Sequence, residues 1–452
     1  MQRPACKHVH MAGTDIRVLP TRVRRANSSA GLSGSTESAP GQSLTTAMLE
    51  LGGASGLDAV GITGVEPFLD TRRHLEQRKA DGLHGGMDFT YRNPSRSTDP
   101  SYSLEGARSL LVGACSYRRG DPAAGPPEKS VVSYPNAPHD PNAPHSPNAP
   151  HSHSNPSGAG GPRGAIARYS WNDSYAPLRQ ALGVVADALR SEGWRAKVLC
   201  DDNALVDRAA AQRAGLGWFG KNTLLLLPDQ GSWFVLGSVV TDAPLVPTGP
   251  PLEAGSGCGK CTRCISACPT GALVEPGVLD ARRCLAWLLE APGWFPMQFR
   301  IALGGRIYGC DECQLACPPN RLVDRRDPAP AAGVGDQVTV DLIEMLDMSD
   351  EGLLGRYARW YVPRREARYL RRNALIALAN VADGEDRRVA AVVLAALRDK
   401  DPIVRGHAVW AAARLGRHEF LTDLHIGEQD PDVLAELVAA PDVLVSNLGR
   451  QG

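Results

Sequence analysis

Short apolar runs alternate with longer amphipathic stripes through the first half of this chain. Ser109 to Ser116 (Ser-Leu-Leu-Val-Gly-Ala-Cys-Ser) is apolar throughout and bounded by polar turns, which predicts a buried strand. Leu57 to Ile62, Ala196 to Cys200, Leu224 to Leu227 and Gly231 to Thr241 predict further strands. Over Tyr175 to Arg190, Leu178, Leu182, Val185, Ala188 and Leu189 fall on one helical face. A second helix is predicted from Ala204 to Gly215, and another starts near Thr46. Strands interleaved with helices predict an α/β layer structure.

The pattern turns purely helical near the C-terminal end, and it repeats. Leu370-Arg371-Arg372-Asn373-Ala374-Leu375-Ile376-Ala377 aligns with Val404-Arg405-Gly406-His407-Ala408-Val409-Trp410-Ala411 at an offset of 34 residues, with a helix over Val389 to Leu397 between them. Paired helices at that period predict a short HEAT-like segment; two copies cannot bury a core alone, so the segment must dock on the rest.

Two stretches show no period. Residues 1 to 43 mix Arg-rich and Ser/Gly-rich pieces and predict a disordered extension, or a start placed too early. Between 120 and 163 a Pro-Asn-Ala-Pro-His unit recurs three times, as a low-complexity surface loop whose spaced histidines more plainly do nothing specific than bind metal. The predicted organisation is a multidomain α+β/α/β chain: extension 1–43, α/β domain 44–248 with the loop 120–163, ferredoxin-like domain 249–325, linker Arg321 to Gln337, helical repeats 338–417 and tail 418–452.

Composition changes this picture little. Lys plus Arg and Asp plus Glu are both 49 in 452 residues, so overall charge steers no partner, and a nucleic acid must meet a local basic patch. Arg359, Arg364, Arg365, Arg368, Arg371, Arg372 and Arg405 supply one in the helical region; the plainer reading is a solvated helix face. No apolar run has the length of a membrane span and nothing resembles a signal peptide, so a cytoplasmic address without membrane contact is expected. Nothing demands more than a monomer.

The chemistry lies in the cysteines. Cys258, Cys261, Cys264 and Cys268-Pro269 form the C-x2-C-x2-C-x3-C-P run of bacterial ferredoxins, and Cys310, Cys313 and Cys317-Pro318 repeat most of it, with Cys284 between them. Eight thiolates suit two four-iron four-sulfur clusters, and in two-cluster ferredoxins the fourth cysteine of a run serves the other cluster. The expected sets are therefore Cys258, Cys261, Cys264 and Cys317, and Cys268, Cys284, Cys310 and Cys313. Cys284 is expected inside a helix over Val278 to Leu289. Zinc fits poorly, since its sites are built from separated pairs. Cys115 and Cys200 are more plainly small core residues than ligands.

Asp201-Asp202-Asn203 follows a predicted strand, where open α/β sheets place active groups, although a helix cap explains the same residues. The Gly-rich Ala214-Gly215-Leu216-Gly217-Trp218-Phe219-Gly220-Lys221-Asn222-Thr223 either brings backbone close to a ligand or simply makes turns.

Taken in order, the cluster runs, Asp280-Ala281-Arg282-Arg283-Cys284, the Gly-Lys-Asn-Thr stretch and Gly231-Ser232-Trp233-Phe234 resemble the epoxyqueuosine reductase family from about Thr46 to Gly416. The resemblance implies cobalamin beside the two clusters, kinship with reductive dehalogenases, and reduction of epoxyqueuosine to queuosine at the tRNA wobble position, the last step of queuosine biosynthesis. It implies Asp201 as proton donor, with Asp202 second, and Trp218, Lys221, Asn222 and Tyr169 beside the corrin. Arg368, Arg371 and Arg372 would then hold tRNA around its anticodon loop, and an external flavodoxin- or ferredoxin-type donor would supply electrons. The family's Arg-Tyr-Ala-x-Gly-x-Asp-Tyr-His departs here at Asn172, Ser174 and Ala176; Pro319 replaces a Trp and Ser97 an Arg. The rivals are a dehalogenase-like enzyme for a small molecule, which needs no arginine-bearing tail, and a plain electron carrier, which leaves the α/β region without a purpose.

Overall fold

The computed structural model of the chain describes residues 40–119, 161–251, 257–333, 335–422 and 424–448. The expected extension, apart from its last residues, and the His/Pro loop lie outside them. A helix already begins at Pro40 and runs to Ala54.

The central sheet has four strands: β1 (Ala59–Thr63), β2 (Ser109–Ser116), β3 (Ala196–Cys200) and β4 (Phe234–Thr241), in the order β1-β2-β4-β3. Alternation within the apolar runs explains the layers. Leu110, Val112 and Ala114 of β2, with Leu236 and Val240 of β4, face one core that includes Ala209, Ala210 and Ala211. Leu111, Cys115, Val235 and Val239 point the other way, onto Leu178, Leu182, Val185 and Leu189 of the helix Tyr175–Ser191. A Cβ at Gly237 would stand 2.8 Å from Leu182 Cδ1; its absence lets that helix close on the sheet.

Every pairing in this sheet is antiparallel, with Leu111 opposite both Ile62 and Val239. The expectation of an open α/β sheet is corrected here: parallel strands need helical crossovers between neighbours, whereas the neighbours here run in opposite directions. The rule that places ligands at the carboxyl ends of parallel strands therefore does not carry Asp201, which follows an edge strand.

A smaller sheet stitches distant segments together. Arg163–Ile166 pairs in parallel with Arg306–Tyr308 and antiparallel with Thr339–Asp341. The helix expected over Val278 to Leu289 is broken. Val278–Leu279 is a strand, Ala281–Arg283 a single helical turn capped by Asp280, and Cys284 is the extended N-cap of the helix Leu285–Glu290. The linker also begins late, since Pro318–Arg326 is helical, with Pro318 in the first turn where its missing N–H costs nothing.

The tail packs helices Arg368–Val381, Arg387–Ala396, Pro402–Arg414 and Pro431–Leu448. Asp386 and Asp401 cap the second and third by accepting backbone N–H bonds. The tail shares one core with the cluster segment: Leu285, Leu288, Phe295, Ile307 and Tyr308 lie among Leu375, Ile376, Val404 and Trp410. Residues beyond 417 belong to it too, through Val433, Leu437 and Ala440.

Burial corrects the arginine expectation. Arg372 is 1% exposed. Its guanidinium donates to the carbonyls of Leu288, Leu289, Ala291 and Gly293 and to Asn373 Oδ1, so it caps the helix Leu285–Glu290 instead of facing solvent. Burial lowers its pKa to about 9. Arg371 is held by Met348 O and Asp350, and Arg368 by Glu366 and Asp401. Arg372→Ala is expected to destabilise the protein by on the order of 3 kcal/mol, because it leaves buried carbonyls without donors. Thermal unfolding of the variant, with a midpoint several degrees lower, checks this; an unchanged midpoint contradicts it.

Candidate active site

Eight cysteines converge in two groups. The Cys317 thiol feels Cys264, Cys258 and Cys261, and Cys264 feels Cys258 and Cys261. Separately, Cys313 feels Cys310, Cys284 and Cys268. No disulfide joins any of them. Burial pushes Cys264 up to about 11 and Cys310 and Cys317 up to about 12. Binding to iron overrides this by displacing the proton, so loading releases protons.

The backbone prepares these sulfurs for negative charge. Cys268 Sγ accepts the Ala272 N–H at 3.1 Å, and at Cys284 the nearby N–H groups of Trp287 and Ala286 oppose the rise in pKa that burial causes. The N–H groups of Ile265, Glu312 and Asn320 oppose it in the same way at Cys264, Cys310 and Cys317. Such donors stabilise thiolate and tune a cluster's potential. Cys317 is extended (φ −74°, ψ 121°) because Pro318 follows it. A buried amide network mounts this loop on the main sheet. Gln314 Nε2 donates to Tyr117 Oη (3.0 Å) and Ser232 O (3.0 Å), and Asn320 Oδ1 accepts from the Ser232 N–H (2.7 Å). Among the described residues, no three His, Cys, Asp or Glu side chains close around a single ion; the ligands of a four-iron cage bind separate irons.

The two groups differ in setting. Cys258 and Cys261 are partly exposed on a loop. The other group abuts acids: Cys284 opens the helix that ends at Glu290, and Cys313 feels Asp311. Asp311 is pushed up to about 6 by burial, while its Oδ2 accepts the Arg168 N–H at 2.6 Å.

Asp201 directly follows β3 with φ +54°, a left-handed backbone that Asp tolerates better than most residues. Its side chain faces solvent, yet the protein around the carboxyl raises its pKa, opposed by Arg179 and aided by Asp202. Asp202 accepts the Ala204 N–H at 2.9 Å in a local turn; the helix expected from Ala204 starts instead at Asp207, and its N-cap Val206 makes no side-chain bond, so neither Asp202 nor Asn203 caps it. Asp207 and Tyr175 complete the acidic end, and each feels Asp201.

The residues expected beside a corrin have other partners. Lys221 Nζ donates to Gly259 O at 2.7 Å, and Asn222 Nδ2 to Cys313 O at 3.4 Å. Both bind the loops that carry the cysteines. Gly217 and Gly220 face the Leu225–Leu226 strand so closely that a Cβ on either would stand 2.3 Å from Leu226; their glycine is explained by this hairpin. The Trp218 indole N–H is buried without a partner. Tyr169 donates to Glu290 Oε1 at 3.1 Å. The departures at Asn172 and Ser174 are absorbed locally: Asn172 Nδ2 donates to Asp336, and Ser174 Oγ to Tyr169 O.

Sequence reading missed Glu290, Tyr308 and Asp311. Tyr308 and Asp311 flank Cys310 within a motif that was recognised, so a signal existed. Glu290 follows the apolar Leu288-Leu289 pair at a helix end, and only tertiary packing turns it inward.

Comparison with known proteins agrees with this geometry. Residues 257–320 match the model of a 4Fe-4S double cluster binding domain. The chain is 31% identical over 388 residues to the epoxyqueuosine reductase of Bacillus anthracis, covering 84% of this chain and 92% of that one. It is 33% identical over 369 residues to that of Xanthomonas campestris, covering 80% and 93%. Among solved structures, an epoxyqueuosine reductase with an epoxyqueuosine-modified tRNA-Tyr stem loop superposes with TM-score 0.71 at 28% identity, over 89% of this chain and 99% of that one. The Bacillus subtilis enzyme, with a catalytic loop named for an aspartate swung out of its active site, gives TM-score 0.71 at 27% identity, over 89% and 99%. Similarity spread over this much of both chains exceeds what a shared cysteine motif produces, and the chain belongs to the epoxyqueuosine reductase family.

Proposed function

We propose that this chain reduces epoxyqueuosine to queuosine in the anticodon loop of tRNA, with two 4Fe-4S clusters and cobalamin. The observation that carries this reading is the setting of the two thiol groups, one starting on the exposed loop of Cys258 and Cys261 and the other beside Glu290 and Asp311. Cys258, Cys261, Cys264 and Cys317 hold the outer cluster, which takes electrons from an external carrier; Cys268, Cys284, Cys310 and Cys313 hold the inner one. Cobalamin, when bound, supplies the strongly reducing metal chemistry that amino acid side chains lack. The exposed Asp201 carboxyl at the end of β3 suits the polar edge of a large cofactor, and the buried, unpartnered Trp218 N–H beside Gly257 is a donor still to be satisfied.

The chain's own contribution is proton delivery and positioning. Asp201, with its raised pKa, gives a proton to the oxygen released from the opened ring. The tRNA-contacting cations are those the tail leaves exposed. Arg359 and Arg364 face solvent beside Tyr361, which is 57% exposed. Arg365 braces their loop through Leu354 O and Trp360 O. The Tyr361 N–H donates to Tyr308 Oη at 2.8 Å, so this loop is anchored two residues before Cys310. Phosphates on the arginines and a base splayed past Tyr361 suit an anticodon loop, which is single-stranded already. The HEAT-like helical pairs are the platform for that loop.

The test is anaerobic turnover. Protein loaded with iron, sulfide and cobalamin, given a reductant and an epoxyqueuosine-modified stem loop, is expected to yield queuosine, seen by mass spectrometry as loss of one oxygen atom. Fully loaded, reduced protein that leaves the stem loop unchanged overturns the reading.

A further inference from the structure

The glycine-rich stretch ahead of the cysteines holds a strain that its hairpin does not explain. The Gly220 N–H donates to Leu224 O at 2.8 Å and closes a tight turn over Lys221, Asn222 and Thr223. Thr223 sits at φ +65°, a left-handed backbone that a β-branched residue adopts only where its surroundings impose it. Gly217 and Gly220 account for the close approach to Leu226, but not for a threonine in that conformation.

The turn presents one side chain to each cysteine loop. Lys221 Nζ donates to Gly259 O at 2.7 Å, and Asn222, 4% exposed, reaches Cys313 O. Gly259 lies in a turn closed by the Cys261 N–H on Cys258 O (2.9 Å), so the ammonium rests on the backbone that joins two of the expected ligands. The Lys221 carbonyl accepts the Gly277 N–H at 2.9 Å. Trp218, on the same hairpin, meets Gly257 so closely that a Cβ there would stand 2.3 Å from its ring. The hairpin is thus wedged against the loops of both thiol groups, and its strained turn fixes where Lys221 ends.

A brace needs a donor but not a charge. Asn222 and the Gly277 N–H hold their partners while neutral. At Gly259 the donor is a cation, and among the described residues no carboxylate pairs with it. Arg306, the cation that Cys310 feels, is by contrast paired with Glu312. Lys260 and Arg263 on the first loop face solvent, where water and salt screen them. Lys221 is half-buried, so its charge acts through less water.

Resting on the ligand sets proposed above, we propose that Lys221 sets the reduction potential of the outer cluster. Reduction adds one electron to a cage already held by four thiolates, and no atom moves. A fixed positive charge against the Cys258–Cys261 turn favours the form with the added electron. It makes the cluster at the point of entry the better acceptor from an external carrier. Asn222, being neutral, gives the inner cluster no such help, so the turn acts on the two unequally.

Lys221→Gln keeps an N–H donor and removes the charge, whereas Lys221→Arg keeps both. Anaerobic redox titrations of the iron-loaded proteins, followed by electron paramagnetic resonance, read both midpoints without cobalamin, tRNA or turnover. In Lys221→Gln one midpoint is expected to fall by about 59 mV, a tenfold change in a one-electron equilibrium, and the other by clearly less. Adding Cys284→Ser, which leaves the outer cluster alone, is expected to preserve the shift. Lys221→Arg is expected to match the parent. Unmoved midpoints in Lys221→Gln, equal falls in both clusters, or the same fall in Lys221→Arg overturn the proposal. Should Lys221→Gln lose the outer cluster, Lys221→Met takes its place; loss of iron from both makes Lys221 a brace and also overturns it. A parent protein that converts no stem loop sinks the activity instead, while the midpoints still decide the role of Lys221.

Discussion

Asp201→Asn is expected to lower turnover by roughly a hundred- to ten-thousandfold, the range for losing a positioned general acid. Asparagine is the informative replacement. Asp201 sits at φ +54°, a conformation asparagine tolerates and alanine does not, so the loop after β3 survives the change. Iron content is expected to match the parent, because Asp201 is no cluster ligand and the turn that carries it survives the change. The parent's turnover is expected to decline as pH rises, since the acid acts protonated and its pKa lies above the ordinary carboxylate value. In Asp201→Asn that limb disappears. Single-turnover assays with pre-reduced protein check both points, and near-normal turnover in the variant removes Asp201 from the mechanism.

Cys284→Ser is expected to reduce iron from about eight to about four per chain, since two four-iron clusters share eight thiolates. Serine is chosen because Cys284 is also the N-cap of the helix Leu285–Glu290, and serine is a preferred N-cap. The helix, and Glu290 at its end, then stay in place while the ligand is lost. The outer group of Cys258, Cys261, Cys264 and Cys317 is expected to keep its cluster, visible by electron paramagnetic resonance after reduction, while turnover is abolished. Iron remaining at about eight per chain shows that Cys284 is not a ligand.

How far the chain could be read in advance follows from where its constraints lie. The cysteine spacings announce their chemistry because a cluster needs thiolates at short intervals on one loop, a local requirement. Cys284 was recognisable only by counting to eight, and its surroundings were misjudged: an apolar stripe favoured one long helix, whereas Asp280 capping and the extended Cys284 divide it. The strands of the main sheet were legible from their apolar runs, but not their directions, since period and composition are alike in both. The arginines of the tail show the same limit more sharply. Arg371 and Arg372 are neighbours in one helix, yet Arg372 lies wholly inside and Arg371 pairs with Asp350. A charged residue at an inward position looks like a surface cation until the carbonyls of Leu288 to Gly293 are seen around it.

The amino acid sequence alone determined the two-cluster chemistry, the aspartate after β3, and the helical character of the tail, because each is set by residues close together along the chain. Tertiary structure alone decided which of the two thiol groups lies beside the acids Glu290 and Asp311, the inward turn of Glu290, and which arginines remain free. Those properties depend on burial and on partners far apart along the chain, which chain order does not reveal.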